Sequence, residues 1–442
     1  MPLSTFARRR AFSIFTSSSS APPRNKTTPS TPPLLYQTPH PTSTPLHLLS
    51  WGRGSSGQLG NNGTESLSLY PTPIASLRLP HSFSLTSPPG SLNEGTGEGV
   101  GVGISCGLFH SGLVVDGWVW VWGKGDGGRL GFGDEETVFA PRRNEGLKGV
   151  ECLALGGLHS LALTSRGEVF SWGYGGFGAL GQAVYTRELV PRLVRGCWTG
   201  KIKHIATSGT HTAAISETGE LYTWGREEGD GRLGLGPGRG PDQAGGLSVP
   251  TKVKVLPVPV AAVSCGGFFT MALTADGQLW NWGANSNYEL GSGDKVGGWR
   301  PRPVSSLEGV RITQIACGGY HSLALTDDGK VLSWGHGGHG QLGHSSIQNQ
   351  KVPTRIDALA DHQVVFIACG GSTSAAVTET GQLFMWGNGK DSQLGVPGLP
   401  DIQLSPVEVK FLSENGELGH SKVLSVAVGA SHAICFVSSL NQ

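Results

Sequence analysis

The chain has 442 residues, and 70 of them are glycine, about twice the roughly 7 % share usual for globular proteins. Only 15 % is charged, and 33 basic against 32 acidic residues give a formal net charge of +1. These values exclude a membrane-spanning helix, collagen and a helix bundle, because the apolar run, the strict triplet and the helix-forming composition are each missing; a turn-rich, mostly β protein remains.

Residues 1–50 hold nine Pro, nine Ser and eight Thr, a composition that resists a packed core. Arg8, Arg9, Arg10, Arg24, Lys26 and Arg53 all precede the first acidic residue, Glu65. An Arg-rich, Ser-rich, acid-free start is the composition of an organelle transit peptide. Arg10-Ala11-Phe12-Ser13 resembles a mitochondrial processing site, so Arg10, Phe12 and Ser13 are the candidate processing residues, with cleavage expected after Phe12. A chloroplast address is the alternative, and a nuclear signal or plain basic tail the third reading. Residues 1–45 are therefore expected to be address and tail, 46–437 the folded unit, and 438–442 a short tail. Five basic and no acidic residues lie before Leu46, so the folded part carries 28 basic and 32 acidic groups, net −4. A polyanion binder usually shows the opposite balance, so direct RNA contact stays open and membrane insertion is not expected.

From Leu46 onward the sequence repeats. Trp-Gly recurs at Trp51, Trp122, Trp172, Trp224, Trp282, Trp334 and Trp386, each followed by Leu-Gly with six or seven residues between. A second element alternates with it: CGLFHS at 106–111, LGGLHS at 155–160, TSGTHT at 207–212, CGGFFT at 265–270, CGGYHS at 317–322, CGGSTS at 369–374 and VGASHA at 428–433. Seven copies of each define a repeat architecture. The step from the His slot to the next Trp is 13 residues in His159, His211, Phe269, His321 and Thr373, and 12 from His110. That fixed step predicts a hairpin, with its turn at Asp116-Gly117, Arg166-Gly167, Thr218-Gly219, Asp276-Gly277, Asp328-Gly329 and Thr380-Gly381. Trp-to-His distances vary from 37 to 59, so insertions collect in that half of the repeat.

The strand before each Trp is apolar on both faces, as Leu279-Trp280-Asn281-Trp282 and Leu383-Phe384-Met385-Trp386 show. Such a strand belongs in a sheet covered on both sides. Small sheets packed face to face around an axis meet that demand. Leu46–Trp51 lacks a preceding His element and Val426–Val437 lacks a following Trp strand; together they complete one sheet. The expected fold is all-β: a seven-bladed β-propeller closed by a blade shared between N- and C-terminal strands, with both termini tied down.

This alternation is similar to the repeats of the regulator of chromosome condensation family, and the resemblance covers about residues 46–437. Members act as exchange factors for small GTPases, as a plant UV-B photoreceptor, or as interaction scaffolds. The photoreceptor pattern places Trp within the His-bearing elements; none of the seven elements here contains one. Plant organellar members imply a mitochondrial, non-enzymatic scaffold supporting transcript splicing and respiratory complex I biogenesis. The expected partners are proteins, either organelle RNA-processing factors or a small GTPase, bound by a monomer. For exchange activity, Asp134-Glu135-Glu136 and Glu227-Glu228 qualify only as acidic loops.

Apparent catalytic motifs are absorbed by the repeat, and no cofactor, metal or catalytic residue is expected. Gly123–Gly128, Gly173–Gly178 and Gly335–Gly340 match G-x-G-x-x-G, but Leu-Gly follows where a dinucleotide site needs a helix. Gly103-Ile-Ser105-Cys-Gly107 matches a nucleophile elbow, yet Ala316 and Ala368 stand where Ser105 sits in sister repeats. Cys106, Cys265, Cys317 and Cys369 share one slot and are expected as reduced, one-per-blade thiols. His110, His159, His211, His321 and His432 are expected as structural hydrogen-bonding groups, since Phe269 and Thr373 take the same place. His336, His339 and His344 form a local cluster without a carboxylate close in sequence. Two surface features remain: a basic stripe of Arg187, Arg192, Arg195, Lys201 and Lys203, which is a candidate partner site, and the insertion at 80–103, which either contacts a partner or is disordered.

Overall fold

In the computed structural model the described residues are 32–38, 42–86, 90–92, 99–237, 245–256, 259–411 and 421–439. The processing residues Arg10, Phe12 and Ser13 lie outside them. The strands assemble into seven sheets of four or five strands, antiparallel except where Leu34–Gln37 and Phe83–Leu85 are added in parallel. Blade 1 runs from its outer edge through Leu34–Gln37, Leu67–Pro80, Ser43–Arg53, His432–Ser439 and Ser421–Val428. Blades 2 to 7 follow in chain order, with innermost strands Val100–Cys106, Val150–Leu155, Ile202–Thr207, Val260–Cys265, Ile312–Cys317 and Val364–Cys369. Each innermost strand packs beside the next, and Ser421–Val428 closes the circle against Val100–Cys106.

Closure occurs as the repeat pattern requires. Leu46 pairs with Ser438, and the register holds through Trp51–Ala433 to Gly52–His432. The ring unit begins earlier than position 46. Pro33–Gln442 form one unit, because Leu34–Gln37 adds a parallel strand to Leu67–Pro80 and Ser43 already pairs with Pro80. At the other end, the strand His432–Ser439 includes positions expected to be tail.

The His-to-Trp segment forms the predicted hairpin in all six complete blades. Its length difference has a backbone cause. In blade 2, Val115 faces Trp118 across a two-residue turn in which Asp116 and Gly117 both have positive φ. In blade 3, Thr164 and Glu168 close a longer turn in which Gly167 alone is left-handed. One extra turn residue converts the step of 12 into 13.

The cores lie between blades rather than at one centre. Each buried cluster joins neighbouring sheets, as when Trp224 packs with Leu161, Leu163, Val169 and Ile205. All seven repeat tryptophans are fully buried, each contributing roughly 4 kcal/mol of gross hydrophobic stabilisation before chain entropy is charged against it.

The insertion after blade 1 is not a free loop where it is described. Phe83–Leu85 runs parallel to Val100–Val102 as an added strand at the inner edge of blade 2. Gly90 and Leu92 then meet blade 6: the Ile315 N–H donates to the Gly90 carbonyl at 2.8 Å, and the Leu92 N–H to the Thr313 carbonyl at 2.8 Å.

Candidate functional site

The two repeat motifs share one face of the ring. The residue after each Trp-Gly donates its N–H to the carbonyl just before the His slot: Lys124 to Phe109, Tyr174 to Leu158, Arg226 to Thr210, Ala284 to Phe268, His336 to Tyr320, Asn388 to Ser372 and Arg53 to Ser431, at 2.8–3.0 Å. This motif face surrounds the channel mouth, and the hairpin turns lie on the other.

Polar side chains at the motifs are engaged between blades. Each Trp indole N–H donates to the carbonyl preceding Leu-Gly of the previous blade: Trp122 to Gln58, Trp172 to Arg129, Trp224 to Ala179, Trp282 to Arg232, Trp334 to Glu289, Trp386 to Gln341 and Trp51 to Gln393, at 2.8–3.0 Å. The His slot forms a second belt. The Nε2 atoms of His110, His159, His211, His321 and His432 bond Ser160, Thr212, Thr270, Ser374 and Ser111 of the following blade at 2.8–3.0 Å. Burial holds the pKa of His159 down at about 4 and those of His321 and His432 at about 3, with His110 and His211 well below the ordinary value. These rings are neutral struts, as their sequence pattern implied.

The remaining motif residues are equally committed. In the G-x-G-x-x-G loops the amides of Gly128, Gly178 and Gly340 donate to the carbonyls of Gly125, Gly175 and Gly337 at 2.8–2.9 Å; those donors face their own loop, not a phosphate. Ser105 Oγ accepts the Leu155 N–H at 3.1 Å. His344 turns away from His336 and His339 to bond Ser333 at 2.8 Å. Among the described residues no group of three His, Cys, Asp or Glu side chains can hold a metal ion.

The shared cysteine slot lines the channel waist, and the thiols stay free. Cys106, Cys317 and Cys369 donate to the carbonyls of Ala427, Ser264 and Ala316 in the preceding blades at 3.4–3.5 Å. Burial pushes Cys106, Cys152 and Cys317 up to about 12, so they stay protonated.

The five basic residues do not converge on one patch. Arg187, at the motif end of blade 3, pairs with Glu135 of blade 2, and Arg192 pairs with Glu188 at 2.6 Å. Arg195 follows the outer strand, whose Leu193 faces Phe170. Lys201 sits beside the Arg166-Gly167 turn on the opposite face, and Lys203 lines a cavity there.

A feature missed in the sequence is the wall of the channel mouth. A cavity of about 410 Å³ opens among the glycine turns, lined by Leu108, Arg226, Phe268 and Tyr320. Phe268 and Tyr320 stack with centroids 5.5 Å apart, and the buried Arg232 guanidinium lies 4.7 Å over Phe268. Arg129, likewise buried, donates to the Gly157 carbonyl of blade 3 at 2.9 Å. Both arginines occupy the slot before Leu-Gly; aligning that slot across repeats would have singled them out.

The RCC1-like domain family matches residues 47–435. The chain is 68 % identical over 412 residues to the RCC1 domain-containing protein RUG3, mitochondrial, of Arabidopsis thaliana, covering 92 % of each. It is 33 % identical over 343 residues to the ultraviolet-B receptor UVR8 of the same plant, covering 76 % of this chain and 75 % of the receptor. Among solved structures, human WBSCR16 superposes with a TM-score of 0.71 at 26 % identity, covering 90 % of this chain and all of that one. Yeast Prp20 superposes with a TM-score of 0.75 at 22 % identity over 90 % of this chain and 93 % of that one, a likeness of fold. Seven Trp latches, a His belt and a blade shared between the two chain ends are thus the frame of a known family, and this chain belongs to the RCC1-like domain proteins.

Proposed function

We propose that this protein is a non-enzymatic interaction scaffold in mitochondria, holding protein partners that support transcript splicing and, through it, respiratory complex I biogenesis. The observation that carries the reading is the 68 % identity, over 92 % of both chains, to a plant RCC1-domain protein named as mitochondrial. The mitochondrial address also suits the Arg- and Ser-rich start, with Arg10, Phe12 and Ser13 as the processing residues. The motif side chains support a scaffold role, because their polar atoms join blades instead of meeting at one reactive centre. The net −4 of the folded part favours protein partners over direct contact with RNA.

Of the five basic residues, exposed Arg195 and Lys201 are the separate contact points we assign to an acidic protein partner, since Arg187 and Arg192 are held by Glu135 and Glu188 and Lys203 lines a cavity. The test is affinity purification of the full chain from mitochondria with and without RNase. Retained splicing factors after RNase support the reading, and a yield of RNA alone, lost at moderate salt, would overturn it.

The second reading is guanine-nucleotide exchange on a small GTPase, for which the acidic loop Asp134-Glu135-Glu136 on the motif face is the relevant feature. Glu227 is less suited, since it is buried and accepts the Gly231 and Leu233 amides. Release of fluorescent GDP from a panel of organelle GTPases decides this reading: acceleration by the purified propeller supports it, and no acceleration removes it.

A further inference from the structure

The loop between Trp-Gly and Leu-Gly makes the same backbone turn in every blade. The residue just before the carbonyl that accepts the indole is left-handed each time. Gly57, Gly128, Gly178, Gly231 and Gly340 have φ between +74° and +81°, and Ser392 has +57°. Blade 5 alone puts a large side chain there, Tyr288, at φ +68°. That conformation strains a bulky L residue, and a glycine would relieve it. In sister blades a side chain has no room. A Cβ on Gly128 would lie 2.6 Å from Leu189 Cδ2, and one on Gly340 2.6 Å from the Gln403 carbonyl oxygen, both on the next blade's outer strand. Strain kept against so simple a remedy marks a residue retained for what its ring does.

The ring gathers cations. Lys295 Nζ, from the same loop, lies 5.1 Å from its centroid, and Lys351 Nζ, from the blade 6 outer strand Gln350–Arg355, lies 5.8 Å from it. Arg302, on the blade 5 outer strand Gly298–Pro303, lines a cavity of about 200 Å³ with Ser292, Asp294, Ser305 and Val352. Lys295, Arg302 and Lys351 are exposed, and among the described residues none has an ion-pair partner. The loop's own carboxylates are turned to the loop. Asp294 accepts the Ser292 hydroxyl and the Val296 N–H at 2.9 Å, and buried Glu289 accepts the two Asn287 donors at 2.8 and 3.0 Å. Three exposed cations therefore accompany one exposed carboxylate, on a folded part whose overall charge is negative.

We propose that the blade 5–6 rim around Tyr288 binds a short acidic segment of a protein partner, with its carboxylates on Lys295, Arg302 and Lys351. Its apolar carbons meet the Tyr288 ring and the exposed Val296 and Val352. The site suits a peptide segment better than a nucleic-acid strand. Tyr288 is a single ring where a strand needs successive stacking partners, and the blade 7 outer strand Ile402–Val409 carries no basic residue to continue a path. The inference rests on the scaffold reading for the kind of partner, and it gives that partner a place where cations converge.

The test uses the full chain with a fluorescein-labelled peptide of glutamate and leucine, and an oligouridine of equal length, read by anisotropy at low salt. The variants are Tyr288→Gly and the pair Lys295→Gln with Lys351→Gln. The pair Lys148→Gln with Lys254→Gln, also exposed, removes the same charge elsewhere. The wild type and the Lys148/Lys254 pair should bind the peptide equally, and the other two variants about fivefold or more weakly. Tyr288→Gly should melt no earlier than the wild type, because it restores the glycine of the repeat. Absence of peptide binding by the wild type, or equal binding in every variant, would overturn the site. Earlier melting of Tyr288→Gly would overturn the role given to the ring. Tighter binding of oligouridine, lost in the same two variants, would overturn the choice of a protein segment. The RNase purification tests the scaffold reading separately, and it can fail while the peptide still binds here.

Discussion

The indole N–H of Trp51 donates to the carbonyl of Gln393, 342 residues away, at 2.9 Å. Among the described residues it is that carbonyl's one donor. The six equivalent carbonyls each accept a second bond from a Ser or Thr hydroxyl, such as Ser374 on Gln341 at 2.8 Å. At this seam Ala433 stands in the hydroxyl slot, and Thr373 replaces the His of blade 7. The seam between blades 7 and 1 thus has the fewest side-chain latches of the ring. Within blade 1 the two ends of the chain are held by the strand pairing of Leu46–Gly52 with His432–Ser438.

Replacing that indole is therefore more costly at the closure than elsewhere. Trp51→Phe leaves the Gln393 carbonyl buried without a partner and is expected to cost about 2–3 kcal/mol. Trp386→Phe leaves Ser374 on the equivalent carbonyl and should cost about 1 kcal/mol. Urea unfolding of the two variants checks the order.

The His belt sets a direction for acid sensitivity. Above the ordinary His pKa of about 6.5 both folded and unfolded chains hold neutral rings, and the stability is fully present. As pH falls below 6.5 the unfolded chain takes up protons that the buried rings refuse, down to about 4 for His159 and about 3 for His321 and His432. Stability falls across that window by up to about 1.4 kcal/mol per pH unit for each ring. Urea midpoints from pH 7 to pH 4.5 should decline, and His211→Phe, copying the Phe269 slot, should make the decline shallower.

The glycine of Leu-Gly is required by its neighbour. Gly181 has φ +68°, and a Cβ there would sit 2.7 Å from Trp224 Nε1. Gly181→Ala should lower stability by about 2 kcal/mol or more. Gly209→Ala is the control: a Cβ there meets nothing within 4 Å, and thermal melting should hardly move.

Thiol accessibility separates surface from channel. Cys197 is exposed, while Cys265 and Cys435 are buried and the other four are half-buried. Under native conditions a thiol-disulfide probe should titrate one fast thiol, removed by Cys197→Ser, and all seven in denaturant. Reducing agent should leave the melting temperature unchanged.

Much of this was legible because the repeat prints each constraint seven times. A buried Trp facing a Leu-Gly carbonyl, or a His facing the next hydroxyl, recurs at fixed spacing, and Phe269 and Thr373 already marked the slot as structural. The contacts of the insertion after blade 1 had no such signature. Gly90 and Leu92 pair with strand edges more than 200 residues away, inside a Pro- and Gly-rich stretch that composition reads as loop. The basic positions Arg187 to Lys203 looked contiguous in sequence, yet they follow an outer strand and its turn from one face toward the other. The earlier start of blade 1 was hidden likewise, since Leu34–Gln37 is held by Leu67–Pro80 rather than by its own pattern.

The two ends of the chain close one cooperative ring. Hydrogen exchange of a chain ending at Phe411, compared with the full chain, tests it most directly. Loss of Ser421–Val428 and His432–Ser439 should raise exchange in all the remaining blades together, including the strands of Trp172 and Trp224 on the far side of the ring. Wild-type protection in blades 3 to 5, with losses confined to blades 1, 2 and 7, would contradict the account.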